Sequence, residues 1–431
     1  MLLMDQTSSV PRVVIIGAGF AGLNAAKALA GAPVRVTLLD RKNHHTFQPL
    51  LYQVALAVLS PAEIATPIRT VLRGARNIDV LLGEVKSFNL AQRTVIADGL
   101  EVGYDYLIVA AGATHAYFGH PEWAHIAPGL KTIEDSLEIR RRVLLAFEMA
   151  EREAIAKGEH VDLNFVVIGA GPTGVELAGA ISDISKRYMA HDFRAIDPKR
   201  ARIILLEGGP RVLPAYPPDL SASAEKQLRD LGVEVRTNAL VTNVAPNLVT
   251  VGQEKIPATV VLWGAGVSAS PLGKLLGVPT DKAGRVIVEP DLTIPGHPEI
   301  QVIGDLAASV ENGKPVPGVA PAAIQMGKFA ARQVRRAIKG QPREPFHYLD
   351  KGSLATIGRS KAVADLGKLH FSGYFAWLAW LFIHLLFLIG FRNRIMVMLE
   401  WAWAYITYSQ GARLITGEAE STASPPSGKP A

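Results

Sequence analysis

The sequence predicts an α/β chain in which two strand–turn–helix units, the second inserted into the first, are followed by an apolar helical C-terminus. Three observations carry that expectation. The segments VVIIGAGFAG and FVVIGAGPTG each pass from a β-branched run through G-x-G-x-x-G into a helix-like stretch, with Gly17, Gly19 and Gly22 in one and Gly169, Gly171 and Gly174 in the other. Each is followed by a further strand that ends in an acid, Asp40 and Glu207. Finally, the stretch 371–391 carries no Asp, Glu, Lys or Arg.

In this context the first glycine makes a tight turn, the second lets backbone approach a pyrophosphate, and the third packs helix on strand. The diphosphate then rests on the positive end of the helix. Two such turns predict two dinucleotides in one molecule, the layout of an enzyme that passes a hydride from a nicotinamide to a flavin. The predicted fold is therefore two Rossmann-like dinucleotide-binding domains plus the C-terminal region.

Residues 12–17 read as a buried parallel strand, 20–31 as a helix of small residues, and 34–40 as the next strand. Asp40 follows Gly22 at close to the interval of about 20 expected for an acid that grips an adenosine ribose; an ordinary solvated strand end is the bland alternative. Short alternating strands follow over 78–106, then YDYLIVAAGAT, where small residues around Gly112 admit a close ligand. The charged segment 135–157 is helical and leads into the second unit: strand 163–169, helix 174–185 and strand 202–207.

Glu207 stands further from its turn than is usual, and the insert 187–201 accounts for the excess. An acid there accepts from a ribose 2′-OH and repels a 2′-phosphate, which favours NADH over NADPH, although Arg211 softens that preference. The stretch 260–267 brings Gly264 and Gly266 near the nucleotide. The strand 300–308 ends at Gly304 and Asp305, whose carboxylate suits a flavin ribityl hydroxyl. The expected domains are 1–125 with 290–345 (FAD), 126–289 (NADH), 346–416 (C-terminal membrane-anchoring region) and a disordered tail at 417–431.

Composition narrows the chemistry. Apolar residues make up 49% and charged ones 19%, lean enough for a soluble protein to suggest membrane contact. The net charge of +6 is spread along the chain without an aromatic-laced basic cluster, so nucleic acid is a poor partner. The start, MLLMDQTSSV, lacks the pattern of a secretory signal, which points to the cytoplasm. Cysteine is absent, which excludes a disulfide framework, thiolate zinc, an iron–sulfur cluster and a redox-active cysteine pair. Electrons must then leave the flavin directly for an external acceptor. The scattered histidines suggest no metal site.

Together GAGFAG, LIVAAGA, GAGPTG, WGAGV and VIGD resemble the two-dinucleotide-binding flavoprotein oxidoreductases. The segments 43–69, 317–331 and 351–363, with the aromatic C-terminus, narrow this to a resemblance to bacterial type II NADH dehydrogenases, non-pumping NADH:quinone oxidoreductases. The resemblance covers roughly 12–415. It implies FAD contacts at Gly17, Ala18 and Gly19, at Asn43 and His44, at Val85 and at Asp305. It also implies that Glu176 lies beside nicotinamide and flavin as the catalytic acid, and that quinone binds at an A-Q-x-A-x-Q helix start. Here that motif reads Ala320-Pro321-Ala322-Ala323-Ile324-Gln325, so its first glutamine is replaced by Pro321 while Gln325, close to Ala323, is kept. Proline suits a helix start. For Glu176 the competing reading is an acid in a helix's first turn, favoured by the helix dipole. The family also implies a homodimer.

The stretch 371–391 is long enough to span a bilayer. The preferred reading is a monotopic pair of helices lying in one leaflet on the cytoplasmic face of the inner membrane. There Tyr374, Trp377, Trp380, Trp401, Trp403, Tyr405 and Tyr408 would mark the headgroup boundary and quinone would enter from the lipid. A buried core or dimer helix is the alternative. A soluble reductase of ferredoxin or rubredoxin is the main functional rival, and a flavoprotein that merely holds reduced nucleotide is another.

Overall fold

Buried on both faces, the run Arg12–Ile16 sends Val13 and Ile15 into one apolar cluster and Val14 and Ile16 into another. Such a strand belongs at the centre of a covered parallel sheet. In the computed structural model, which describes residues 10–407 and 411–417, it lies inside a six-stranded sheet. The order is Thr293–Ile294, His297–Val302, Tyr106–Val109, Arg12–Ile16, Arg35–Asp40, Ile78–Leu82. All neighbours are parallel except the edge pair at 293–302. The chain leaves this sheet after Tyr106–Val109 and returns at His297–Val302, parallel to it, with Ile300 opposite Leu107. Helix Phe20–Leu29 packs so closely on helix Ala320–Ile338 that a β-carbon at Gly327 would stand 2.1 Å from the Ala21 carbonyl oxygen.

Between departure and return the chain builds a second parallel sheet, ordered Val233–Arg236, Arg202–Leu206, Asn164–Ile168, Val260–Trp263. Its glycine turn opens helix Pro172–Asp183, which starts two residues earlier than the sequence suggests because Pro172 fits the first helical position. The long connection to the next strand is a π turn at Ile184–Tyr188 and a 3-10 turn at Pro198–Arg200. Helix Ile133–Lys157 carries buried Arg140, which donates to the carbonyls of Val54 and Leu59, both at 2.8 Å, and so fixes the segment 51–59.

The C-terminal region is an antiparallel sheet of Ser353–Gly358, Lys361–Asp365 and His370–Ser372, then helices Tyr374–Phe387 and Phe391–Thr407. The sheet sits on helix Pro172–Asp183, where a β-carbon at Gly179 would lie 1.6 Å from the Ile357 carbonyl oxygen. The apolar run 371–391 is thus divided. Its helix has 14 residues, about 21 Å of rise, against a hydrocarbon core of about 30 Å. Arg394 donates to the carbonyls of Leu388 and Leu386, both at 2.8 Å, which closes the turn. Among the described residues no helix is long and apolar enough to cross a membrane.

The aromatic row divides as well. Trp380 is 1% exposed and stacks on His384 at 4.0 Å, and Trp401 donates to Gln53 at 2.6 Å, so both face inward and not toward a boundary. Tyr408, the N-terminal residues 1–9 and the tail from 418 lie outside the described residues.

Candidate functional site

The two glycine turns have the same geometry. Gly17 and Gly169 each have φ +92°, in the left-handed region that glycine alone adopts without strain. A β-carbon at Gly22 would lie 1.8 Å from the Gly17 carbonyl oxygen, and one at Gly174 would lie 1.8 Å from that of Gly169. At the middle glycines, Gly19 and Gly171, a β-carbon would meet nothing within 4 Å. Each turn is therefore closed toward the protein and open in front of its helix. Neither helix has a side-chain cap or an acid in its first turn, so among the described residues no side chain competes for the N-terminal donors. A pyrophosphate fits that opening in both units.

The acids expected at the strand ends bind the turns themselves. Asp40 Oδ2 accepts from Ala18 N–H at 2.6 Å and its Oδ1 from Lys42 N–H at 2.7 Å. Glu207 Oε2 accepts from Ala170 N–H at 2.7 Å and its Oε1 from Gly209 N–H at 2.7 Å. Each carboxylate thus stands beside the mouth of its own turn. The long interval between Gly174 and Glu207 does not displace it. Arg211 is turned to the Pro214 carbonyl at 2.8 Å.

Other expected residues gather at the same ends of the strands. A β-carbon at Gly17 would meet the Ala110 carbonyl oxygen at 2.4 Å, which puts the start of the Ala111–Gly112 loop over the first turn. Gly304, at φ +70°, lies against Ala21 and Ala323, next to Asp305. Asp305 neighbours Gly318 and lies 4.0 Å from the Lys131 ammonium, just ahead of the helix that begins at Ala320 and Pro321. In the second unit Gly264 abuts Gly174, and Gly266 abuts Phe118.

Three placements differ in kind. Val85 is 6% exposed and its side chain is part of the apolar core, so only its main chain is available to a ligand. Asn43 and His44 bond each other at 2.9 Å near the surface. Gln325 forms a closed pair of bonds with Leu349, donating to its carbonyl and accepting from its N–H, both at 2.9 Å. Its amide is committed to holding that loop.

Glu176 sits in the second turn of its helix, since no acid occupies the first. The helix-dipole explanation therefore fails. Among the described residues its carboxyl has no recorded hydrogen bond or ion pair, and burial pushes its pKa well above the usual range. It lines a cavity with Tyr52, Gln53, Asp183, Arg359, Trp401 and Tyr405. Tyr52 receives a hydrogen bond from Gln53 Nε2 at 2.8 Å, and burial and the neighbouring Glu176 push its phenol up. Asp183, raised by burial, accepts from Arg359 N–H at 2.9 Å. The Arg359 guanidinium lies 4.0 Å over the Tyr405 ring. These neighbours, apart from Glu176, escaped sequence reasoning. They come from four distant segments, and only the aromatic C-terminus, with Trp401 and Tyr405, gave a signal, which pointed to lipid.

Residues 11–327 match the pyridine nucleotide-disulphide oxidoreductase family, and residues 351–407 match the NDH2 C-terminal domain. The type II NADH:quinone oxidoreductase NdhA of Mycobacterium tuberculosis is 48% identical over 425 residues, covering 94% of this chain and 90% of the relative. A second M. tuberculosis type II NADH:quinone oxidoreductase, Ndh, is 47% identical, covering 96% and 93%. Among solved structures, NDH2 from Plasmodium falciparum in complex with NADH superposes with a TM-score of 0.84 at 20% identity, covering 95% of this chain and 100% of that one. The end-to-end match and the NDH2 C-terminal domain disfavour the ferredoxin- or rubredoxin-reductase alternative. With two glycine turns of the same geometry, no cysteine for disulfide chemistry and relatives 47–48% identical over nearly the whole chain, the chain belongs to the type II NADH:quinone oxidoreductases, flavoenzymes that use FAD and oxidise NADH.

Proposed function

We propose that FAD occupies the first turn, NADH the second, and that the enzyme works at a membrane surface from which quinone enters. In this reading 1–125 with 290–345 form the FAD domain, 126–289 the NADH domain and 346–416 the anchor. When bound, FAD supplies the two-electron chemistry that links NADH oxidation to quinone reduction. The chain's own task is to bind, orient and exclude water.

Gly17, Ala18, Gly19 and Gly22 receive the FAD pyrophosphate, with Asp40, Asn43, His44, Val85, Gly112, Gly304, Asp305, Ala320 and Pro321 around the rest of the cofactor. Gly169, Gly171, Gly174, Glu207, Gly264 and Gly266 receive NADH. Ala323 leaves a small side chain where the quinone head approaches, while Gln325 acts by holding Leu349. Glu176 keeps a proton on its carboxyl, positions the nicotinamide and passes that proton to a quinone oxygen. Unchanged turnover and Michaelis constants in Glu176→Gln would remove it from that role.

One observation carries the membrane reading. The two C-terminal helices expose a row of large apolar side chains, with Phe375 74%, Phe382 64%, Phe391 78%, Trp403 60% and Ile406 76% exposed. That is far more than scattered surface apolar residues require. On the family likeness alone, the reading is completed by a homodimer at the cytoplasmic face of the inner membrane. Deleting the whole region is a poor test, because Trp380 and the strand His370–Ser372 belong to the folded body. The combined variant Phe375→Ser, Phe382→Ser, Trp403→Ser should lose binding to phospholipid vesicles while still reducing a short-chain quinone. Vesicle binding at the parent level would overturn the reading.

A further inference from the structure

Ala18, the middle residue of the first turn, is gripped from both sides. Its N–H donates to Asp40 Oδ2 at 2.6 Å, and its carbonyl oxygen lies 2.8 Å from His45 Nδ1. A carbonyl only accepts, so Nδ1 carries the proton; burial, which lowers the imidazole pKa, and the lack of any acceptor at Nε2 among the described residues favour the neutral ring. His45 is 2% exposed, packed at 5.1 Å against the edge of Phe20, and held in a short antiparallel pair in which it faces Thr66. Its Nε2 is buried without a partner. A buried polar atom left unsatisfied carries its full desolvation cost. The placement therefore needs a compensating role, and an apolar side chain of similar size would fill the space without that cost.

We infer that His45 is a positioning residue for FAD, acting through Ala18: its Nδ1–H fixes the plane of the peptide that follows Ala18 and so aims the Gly19 N–H at the pyrophosphate. The peptide plane carries the Ala18 carbonyl at one end and the Gly19 N–H at the other, so holding the oxygen orients the donor. Gly19 needs this because it has no side chain to limit its rotation and nothing within 4 Å on its open side. The corresponding carbonyl of the second turn, Ala170, is held instead by the Leu213 main-chain N–H at 2.8 Å. The inference rests on FAD occupying the first turn.

The test is the rate at which FAD leaves the detergent-purified holoenzyme on dilution, followed by free-flavin fluorescence, in His45→Asn, His45→Gln and His45→Leu. Asparagine places an amide nitrogen near the Nδ1 position, glutamine near Nε2, and leucine restores only volume. Release should be at least tenfold faster in the Leu variant, nearly as fast in the Gln variant, and within threefold of the parent in the Asn variant. A purely packing role predicts the reverse order, with Leu retaining FAD better than Asn, and that order would overturn the inference. If His45→Leu does not fold, equal release from the Asn and Gln variants overturns it as well. A parent protein that takes up no FAD would instead remove the reading beneath it.

Discussion

The two glycine turns share their internal geometry and differ in what surrounds them. Both place φ +92° at the first glycine, press the third onto its carbonyl, and give the middle residue's N–H to the acid that ends the next strand. Around that shared frame the first unit has a six-stranded sheet and a buried histidine on Ala18, while the second has four strands and a main-chain donor on Ala170. They also differ two residues past the third glycine. Asn24 ties back to the Phe20 carbonyl at 2.8 Å, whereas Glu176 has no such tie and faces a cavity. In the proposed reading the repeated backbone serves the repeated part of the ligand, a pyrophosphate, and the differences fall where a resident cofactor and a departing substrate make different demands.

The largest expected effect tests what is common. Gly22→Ala and Gly174→Ala put a β-carbon 1.8 Å from a carbonyl oxygen, so the main chain must move. Each should cost about 3 kcal/mol or more, seen as a large fall in Tm or failure to fold. If either folds normally, the shared frame is wrong for that unit.

Substituting the middle glycines separates the units. Gly19→Ala should lower FAD content about tenfold, equivalent to about 1.4 kcal/mol of binding. Gly171→Ala should retain FAD and raise the Michaelis constant for NADH by a similar factor. Loss of FAD from the second variant alone would reverse the assignment of cofactor and substrate.

Smaller effects are expected at the acids. Asp40→Asn and Glu207→Gln weaken a charge-assisted bond to the turn, worth about 1.5–3 kcal/mol at most. Asp40→Asn should speed FAD release, and Glu207→Gln should narrow the preference for NADH over NADPH. Paired steady-state kinetics with the two nucleotides would reveal an unchanged preference and so remove Glu207 from discrimination.

A last effect, small within any one pH unit, is a pH dependence at Glu176. Its folded pKa is raised by burial, so the folded state holds the proton more tightly than the unfolded chain. This contribution favours folding at low pH and is lost as pH rises through the folded pKa, by at most about 1.4 kcal/mol per pH unit. Thermal melts of Glu176→Gln and the parent should therefore diverge in favour of the variant between pH 5 and pH 8. Parallel curves would show that Glu176 is already solvated.

Both turns, both acids and the return of the chain at Asp305 were legible because each rests on local backbone demands that leave a mark in a few consecutive residues. The cavity was not. Tyr52, Glu176 and Trp401 meet only through packing of three separate segments, and nothing in LLYQVA announces that Gln53 will bridge Tyr52 and Trp401. The run 371–391, which divides into a helix and the start of a second, shows a related limit. Hydropathy records how apolar a stretch is, but the break at Leu388–Gly390 depends on Arg394, beyond the run, capping the carbonyls of 386 and 388. Gln325 shows the same limit, since its motif suggests a free amide and the fold gives both ends to Leu349.

The central claim is that one chain holds FAD in the first turn within reach of NADH in the second. Anaerobic titration of the purified, detergent-solubilised protein with NADH, read by absorbance, tests it most directly. The flavin band should bleach fully at a single equivalent of NADH per FAD and return when a short-chain quinone is added. A protein that carries no FAD after incubation with it, or a flavin band that NADH leaves unchanged, would contradict the account.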